Sequence, residues 1–197
     1  MVMVTQPRTT APDTDAALIE QAQRTPELFT AIFDRHYRHI YAYVARRLGP
    51  DLAEDVASET FLTAFDRRHT FDAARGDAKP WLYGIASNLV ARQVRAESRR
   101  YRALARAGGQ DVGEAGEHAD AVAGRLDAAA VRGRLAEALR RLPEPVRAVL
   151  LLVAWAGLNQ QEAAEALGIP AGTARSRLHR ARQEMRQALG ADIETDE

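Results

Sequence analysis

The stretch "LNQQEAAEALGIPAGTARSRLHRARQEM", residues 158–185, decides the kind of fold this chain has. Asn159 followed by Glu162 at the i+3 position is a capping box: the amide oxygen takes a first-turn N–H while the glutamate reaches back to the cap. A short helix over residues 160–167 follows. Gly168 supplies the left-handed residue that ends it, and Pro170 opens the next helix. Helices joined so closely meet at a steep angle, as in a helix-turn-helix. At about 100° per residue, Ala174, Leu178, Ala181 and Met185 share one stripe, which faces inward. Gly172, Arg175, Ser176, His179, Arg180 and Gln183 lie opposite, on a face free of acid. Gly172 and Thr173 sit at the helix N-terminus, where backbone N–H groups suit a phosphate. Such a face fits a DNA major groove, with arginine aimed at guanine edges. A solvated basic face on a structural hairpin accounts for the same residues, and this stretch alone leaves both readings standing.

Composition narrows the choice. The 27 Lys and Arg balance 27 Asp and Glu over 197 residues, but the zero net charge hides strong segregation. Residues 92–106 hold six arginines against Glu97, and residues 175–186 hold five against Glu184. These are basic patches of the kind that meet nucleic acid. Acid gathers in residues 51–66, 111–127 and the tail "ADIETDE". Lys79 is the only lysine; arginine suits bidentate phosphate and base contacts. Cysteine is absent, which excludes disulfides, cysteine nucleophiles and thiolate metal sites. No apolar run is long enough for a signal peptide or a membrane span, so a soluble, cytoplasmic protein is expected.

Residues 1–12 read as a disordered lead. Thr25-Pro26 gives a helix cap and first position, and Phe29, Ile32, Phe33, Ile40, Tyr41, Val44 and Leu48 repeat at helical spacing up to Gly49-Pro50. A second helix starts at Asp51 and carries Leu52, Val56, Phe61, Leu62 and Phe65 to about Arg67. After a loop, a third helix begins at Pro80, turns Trp81, Leu82, Ile85 and Leu89 inward, and runs into the first arginine block. Residues 13–106 thus form one helical bundle. Residues 107–124, rich in Gly, Ala and acid without apolar period, read as a flexible linker. Two more helices precede the opening stretch within a second domain, 125–189, and residues 190–197 form an acidic tail. Nothing alternates with period two, so the fold class is all-α: two small helical domains on an acidic tether. His36 and His39, spaced i, i+3, read as helix-surface histidines, since no Cys and no third ligand accompanies them. No metal, cofactor or catalytic residue is expected, for the chain has neither a phosphate loop nor a convergent His/acid constellation.

Taken together, these motifs resemble the extracytoplasmic-function group of sigma factors, the smallest bacterial promoter-recognition subunits of the sigma-70 type. "LNQQEAAEALGIPAGTARSRLHRAR" is similar to their second conserved domain, "AEDVASETFLTAF" (53–65) to the segment that grips the clamp helices of core RNA polymerase, and "PWLYGIASNLVARQVRAESRR" (80–100) to the segment that melts and holds the downstream promoter element. The resemblance covers about residues 26–188 and departs from the usual pattern at Ser58, often Gln, at Ala174, usually Val, and at Arg92, often acidic.

The resemblance implies a non-enzymatic initiation factor whose partners are core polymerase (clamp helices and flap), promoter DNA as duplex and as melted strand, and an anti-sigma protein. It implies no membrane insertion and no obligate homo-oligomer. Glu54, Asp55, Glu59 and Phe61 would face polymerase, an acidic edge suited to orienting a basic coiled-coil partner. Taken alone, those acids read equally as solvated groups at a favourable helix N-terminus. Asn88 would hold a base flipped from the downstream (−10-type) element, with Arg92, Arg95, Arg99 and Arg100 along the strand's phosphates. Phe71 and Asp72 fall in the loop that meets the unpaired strand, while Trp81 belongs to the core. Gly172, Thr173, Arg175, Ser176, Arg177, His179 and Arg180 would read the upstream (−35-type) element. Acidic linker residues Asp111, Glu114, Glu117 and Asp120 would mimic a nucleic-acid strand inside polymerase. The rival, a stand-alone helix-turn-helix regulator, explains only the second domain and would ordinarily dimerise on two half-sites.

Overall fold

The computed structural model describes residues 14–108 and 126–189. The expected lead, most of the linker with its four acids, and the tail lie outside those residues. Among the described residues every regular element is helical: α1 (Asp15–Ala22), α2 (Thr30–Leu48), α3 (Pro50–Asp66), α4 (Lys79–Gly108), α5 (Leu126–Arg141), α6 (Glu144–Ala154), α7 (Gln160–Leu167) and α8 (Ala171–Leu189), with three short 3-10 turns.

The apolar periods explain most of the packing. On α2, Ile32, Ile40, Tyr43 and Val44 are buried; on α3, Val56, Ala57, Thr60, Phe61 and Ala64; on α4, Leu82, Ile85, Ala86 and Val90. Gly49, at φ 84°, ends α2 in a conformation a side chain would resist, and Pro50 starts α3 in the next step. In the second half α8 lies across α5, α6 and α7, and Ala174, Leu178, Ala181 and Met185 are all buried as its stripe requires.

Several elements differ from expectation. Helix α1 is a separate element, capped by Thr14, whose hydroxyl accepts from the Ala17 N–H (3.3 Å). Thr25 makes no side-chain cap; Pro26–Phe29 forms a 3-10 turn before α2 begins. Helix α4 continues to Gly108, two residues into the stretch read as linker. Phe33 and Leu62 belong to apolar repeats but lie 37% and 66% exposed. They sit one residue past a buried neighbour, and a helical step of 100° carries them out of the stripe.

The two halves also pack on each other. Leu151, Leu152, Ala156, Leu158, Ala163 and Ala166 join the core formed by α1–α4. Helix α4 meets α7, so closely that a Cβ on Gly84 would lie 2.6 Å from the Ala166 carbonyl oxygen. Glycine in a helix interior is unfavourable by about 1 kcal/mol against alanine, and this contact is the reason it is here. Beside the seam the Arg47 guanidinium, 5% exposed, pairs with Glu144, and Arg46 stacks 5.5 Å above Trp155. Burial works to raise the Glu144 carboxyl, but the Arg47 charge and the hydrogen bonds from Arg47 and Arg147 outweigh it and leave it below the usual carboxylate range.

Candidate nucleic-acid and polymerase interfaces

Helix α8 presents the outward face its sequence promises. The cap of α7 is a complete capping box, with Asn159 Oδ1 accepting from the Glu162 N–H (3.0 Å) and Glu162 Oε2 from the Asn159 N–H (2.8 Å). Gly168 is left-handed (φ 62°, ψ 35°), and the Ile169 N–H donates to the Ala164 carbonyl (3.0 Å), turning the chain into α8. Gly172, Arg175, Ser176, His179 and Arg180 are exposed, whereas Thr173 and Arg177 are half-buried at the flank. The Ser176 hydroxyl donates back to the Thr173 carbonyl (3.0 Å). The face is not free of acid: Arg180 Nε donates to Glu184 (2.6 Å), which partly neutralises that arginine and leaves Arg175 as its best-placed cation.

A second basic surface runs along α4. Asn88, Arg92, Arg95 and Arg99 are exposed, and their spacing of i, i+4, i+7 and i+11 puts them in one stripe about 17 Å long. Arg100 is exposed about 100° round from Arg99. Because the first turns of α4 are locked by Leu82, Ala86 and Val90, all at 0% exposure, the stripe stands on a rigid base.

The acidic edge of α3 lies beside that stripe. Glu54 and Asp55 are exposed; Glu59 accepts from Arg92 (2.7 Å), so a residue expected to face polymerase meets one expected to face DNA. Phe61 is not on the surface. It is 4% exposed and packs edge-on against Phe33 at 5.0 Å, so it shapes the core and cannot touch a partner directly. Leu62 takes its place outside, at i+7 from Asp55. An apolar residue on the otherwise polar face of α3 was the signal for it.

In the loop, Phe71 is half-buried, its ring 5.2 Å from Trp81, and acts as an anchor; Trp81 is half-buried against the core. Asp72 is exposed and its Oδ1 accepts from the Ala74 N–H (3.1 Å), capping the turn Ala73–Arg75. His39 is exposed, but His36 is not a surface histidine. It is 6% exposed, and its Nε2 lies 2.7 Å from Asp15 Oδ2. Its place midway between Ile32 and Ile40 on the inward stripe was the available sign. Asp15, His36 and Asp77 bring ligand atoms within 4.8 Å of one another, yet Asp15 already accepts from Arg35, His36 and the Ala78 N–H (3.2 Å). A cation beside it makes this knot an ion-paired hydrogen-bond centre, ill-suited to a metal. Burial pushes the Asp15 carboxyl up, but the His36 hydrogen bond, the Ala78 N–H, the His36 charge and the Arg35 hydrogen bond together hold it down at about 2. Among the described residues no helix is long and apolar enough to cross a membrane.

Residues 32–100 match the family model "Sigma-70 region 2" and residues 132–185 the model "Sigma-70, region 4". The ECF RNA polymerase sigma factor SigL of Mycobacterium tuberculosis is 31% identical over 82% of this chain and 89% of its own. The ECF RNA polymerase sigma factor SigW of Bacillus subtilis is also 31% identical, over 83% of this chain and 89% of its own. Among solved structures, CnrH in complex with the cytosolic domain of CnrY has a TM-score of 0.61 at 26% identity, covering 92% of this chain and 99% of that one.

Proposed function

From the premise that this chain belongs to the extracytoplasmic-function branch of the sigma-70 family, we propose a division of labour between its two halves. The first half binds core RNA polymerase through Glu54, Asp55 and Leu62 and holds the melted downstream element between the loop at 71–78, which carries Phe71 and Asp72, and Asn88, Arg92, Arg95, Arg99 and Arg100 of α4. The second half docks α8 in the major groove of the upstream element through Gly172, Thr173, Arg175, Ser176, His179 and Arg180. The factor acts in the cytoplasm, performs no catalysis of its own, and directs polymerase to promoters.

One observation carries this reading: there are two separate basic surfaces, one built around an exposed amide beside an acidic edge with an exposed leucine, the other on a groove-sized helix. An amide reads the edge of an extruded base, arginines follow its phosphates, and a helix N-terminus with arginine suits duplex. A duplex-only regulator has no use for the first surface. Asp55→Arg tests the polymerase side: affinity for purified core polymerase falls while thermal unfolding is unchanged, and equal affinity contradicts the assignment.

The same reading requires the seam to open. With α8 packed on α7 and α7 on α4, the two DNA-facing helices lie within about 20 Å at the usual interaxial distance of 8–10 Å. Elements of the −35 and −10 type are, by those positions, about 25 base pairs apart, which is about 85 Å at 3.4 Å per pair. Residues 109–125, which tether the halves, reach at most about 60 Å fully extended, so separation must use the tether and the helices at its ends. Gly84→Leu, which no longer fits against Ala166, raises the radius of gyration in X-ray scattering; an unchanged radius contradicts an openable seam. CnrH, solved in complex with the cytosolic domain of CnrY, supports assigning this chain a protein partner of its own, for which membership of the family implies an anti-sigma factor.

A further inference from the structure

Helix α1 touches the loop between α3 and α4 at both of its ends. At one end Arg68 Nε donates to the Ala22 carbonyl (3.1 Å), and the same guanidinium lies 4.1 Å over the Phe65 ring and donates to the Phe65 carbonyl (2.6 Å). At the other end the Ala16 N–H donates to the Gly76 carbonyl (3.3 Å), and the Asp15 carboxylate accepts the Ala78 N–H (3.2 Å) while holding Arg35 and His36 of α2. An eight-residue helix is about 12 Å long, and this one lies across the span of the loop as a splint.

Packing alone does not explain it. Leu18, Ile19 and Ala22 bury the apolar side of α1, which suffices to seat a short helix. A buried carboxylate at its first position adds desolvation that an apolar residue would avoid, and here its bonds to Arg35, His36 and the Ala78 N–H tie α1 to α2 and to the end of the loop. What Asp15 fixes is the backbone at Ala78, at the base of a loop that the proposed function places against the melted strand. Between the two fastenings His69, Thr70, Asp72, Ala73, Ala74, Gly76 and Asp77 are exposed, so what the two ends hold is an accessible loop. Gly76, at φ 72°, supplies the bend that a side chain would resist. A loop held at both ends loses little entropy when it closes on an extruded base, whereas a free one must be ordered by the base it selects.

We infer that Asp15 is a positioning residue for promoter selectivity, and that α1 is a splint that preorganises the strand-reading loop. Asp15 touches no DNA; it acts through the Ala78 backbone. This rests on the proposed function, because it takes the loop at 71–78 to be the strand reader.

The test uses the full-length protein with core polymerase and a pool of fork templates randomised in the unpaired strand and in the upstream duplex. Wild-type holoenzyme enriches defined bases in both. With Asp15→Asn the unpaired-strand enrichment falls about tenfold, the scale of discrimination one wrong base carries. Duplex enrichment and polymerase affinity hold at wild-type values, and Asp15→Glu restores part of the loss. Amide exchange at Gly76 and Ala78 quickens in the same variant while α3 is unaffected. Arg68→Ala, which frees the other end, lowers the same enrichment and serves if Asp15→Asn folds poorly. Unchanged unpaired-strand enrichment in both variants, or unchanged exchange at Gly76 and Ala78, overturns the splint. A wild-type protein that selects nothing in the unpaired strand overturns the underlying function, and the splint with it.

Discussion

On α8 every outward residue hangs from one helix, and its direction follows from the buried stripe of Ala174, Leu178, Ala181 and Met185 beneath it. The surface proposed to meet the downstream element is instead assembled from α3, the loop, α4 and the distant helix α1, joined through the buried charge of Asp15 (which holds the Ala78 N–H, 63 residues on) and the backbone of Ala22. One surface is a property of a period; the other is a property of tertiary contacts. The difference teaches where each is fragile: the first fails when its packing fails, the second when a single fastening is cut.

The largest expected effect is on the first kind. Leu178 is 1% exposed, and Leu178→Ala destabilises the second half by roughly 2–5 kcal/mol. Chemical denaturation checks this, and amide exchange in the loop at 71–78 is expected to be untouched. A loop loosened by Leu178→Ala would erase the distinction between the two plans.

The second kind breaks with acid. The Asp15 carboxyl is held at about 2, below its ordinary 3.8, so its contribution is full above the ordinary value and is lost as pH falls through that window towards 2. The shift corresponds to about 2 kcal/mol. Titration of unfolding free energy in wild type against Asp15→Asn shows a gap that closes over this window; parallel curves contradict the role assigned to the carboxylate.

Smaller effects sharpen the picture on α8. Arg175→Ala weakens use of the upstream element by roughly 1–3 kcal/mol if its guanidinium reads a base. Arg180→Ala costs less, because Glu184 already holds that side chain (2.6 Å). Competition binding to matched and scrambled upstream elements ranks the two, and a larger loss at Arg180 contradicts this ranking.

The same contrast explains what is legible in the sequence. The capping box at Asn159, the left-handed Gly168 and the α8 stripe are local, and each lies where its residues place it. The boundary of α3 with α2 is legible for the same reason, since Gly49-Pro50 punctuates the chain directly. Helix α1 is not, for its eight residues carry too few turns to show a period. The burial of His36 shows locally only in its place between Ile32 and Ile40; the partner that makes it tolerable, Asp15, stands 21 residues earlier and leaves no local sign. Phe61 and Leu62 are neighbours separated by one helical step of about 100°, so an apolar pair alone does not tell which of them faces out. The seam is invisible: Gly84 reads as a weak point in a helix until α7 lies against it.

The two-surface division of labour is tested most directly by run-off transcription with purified core polymerase, with and without this protein, on templates carrying matched or scrambled upstream and downstream elements. Transcripts are predicted only when the protein is present, and scrambling either element reduces them. Tight binding of the protein alone to duplex DNA, with no promoter-dependent transcript from the reconstituted polymerase, would contradict that division.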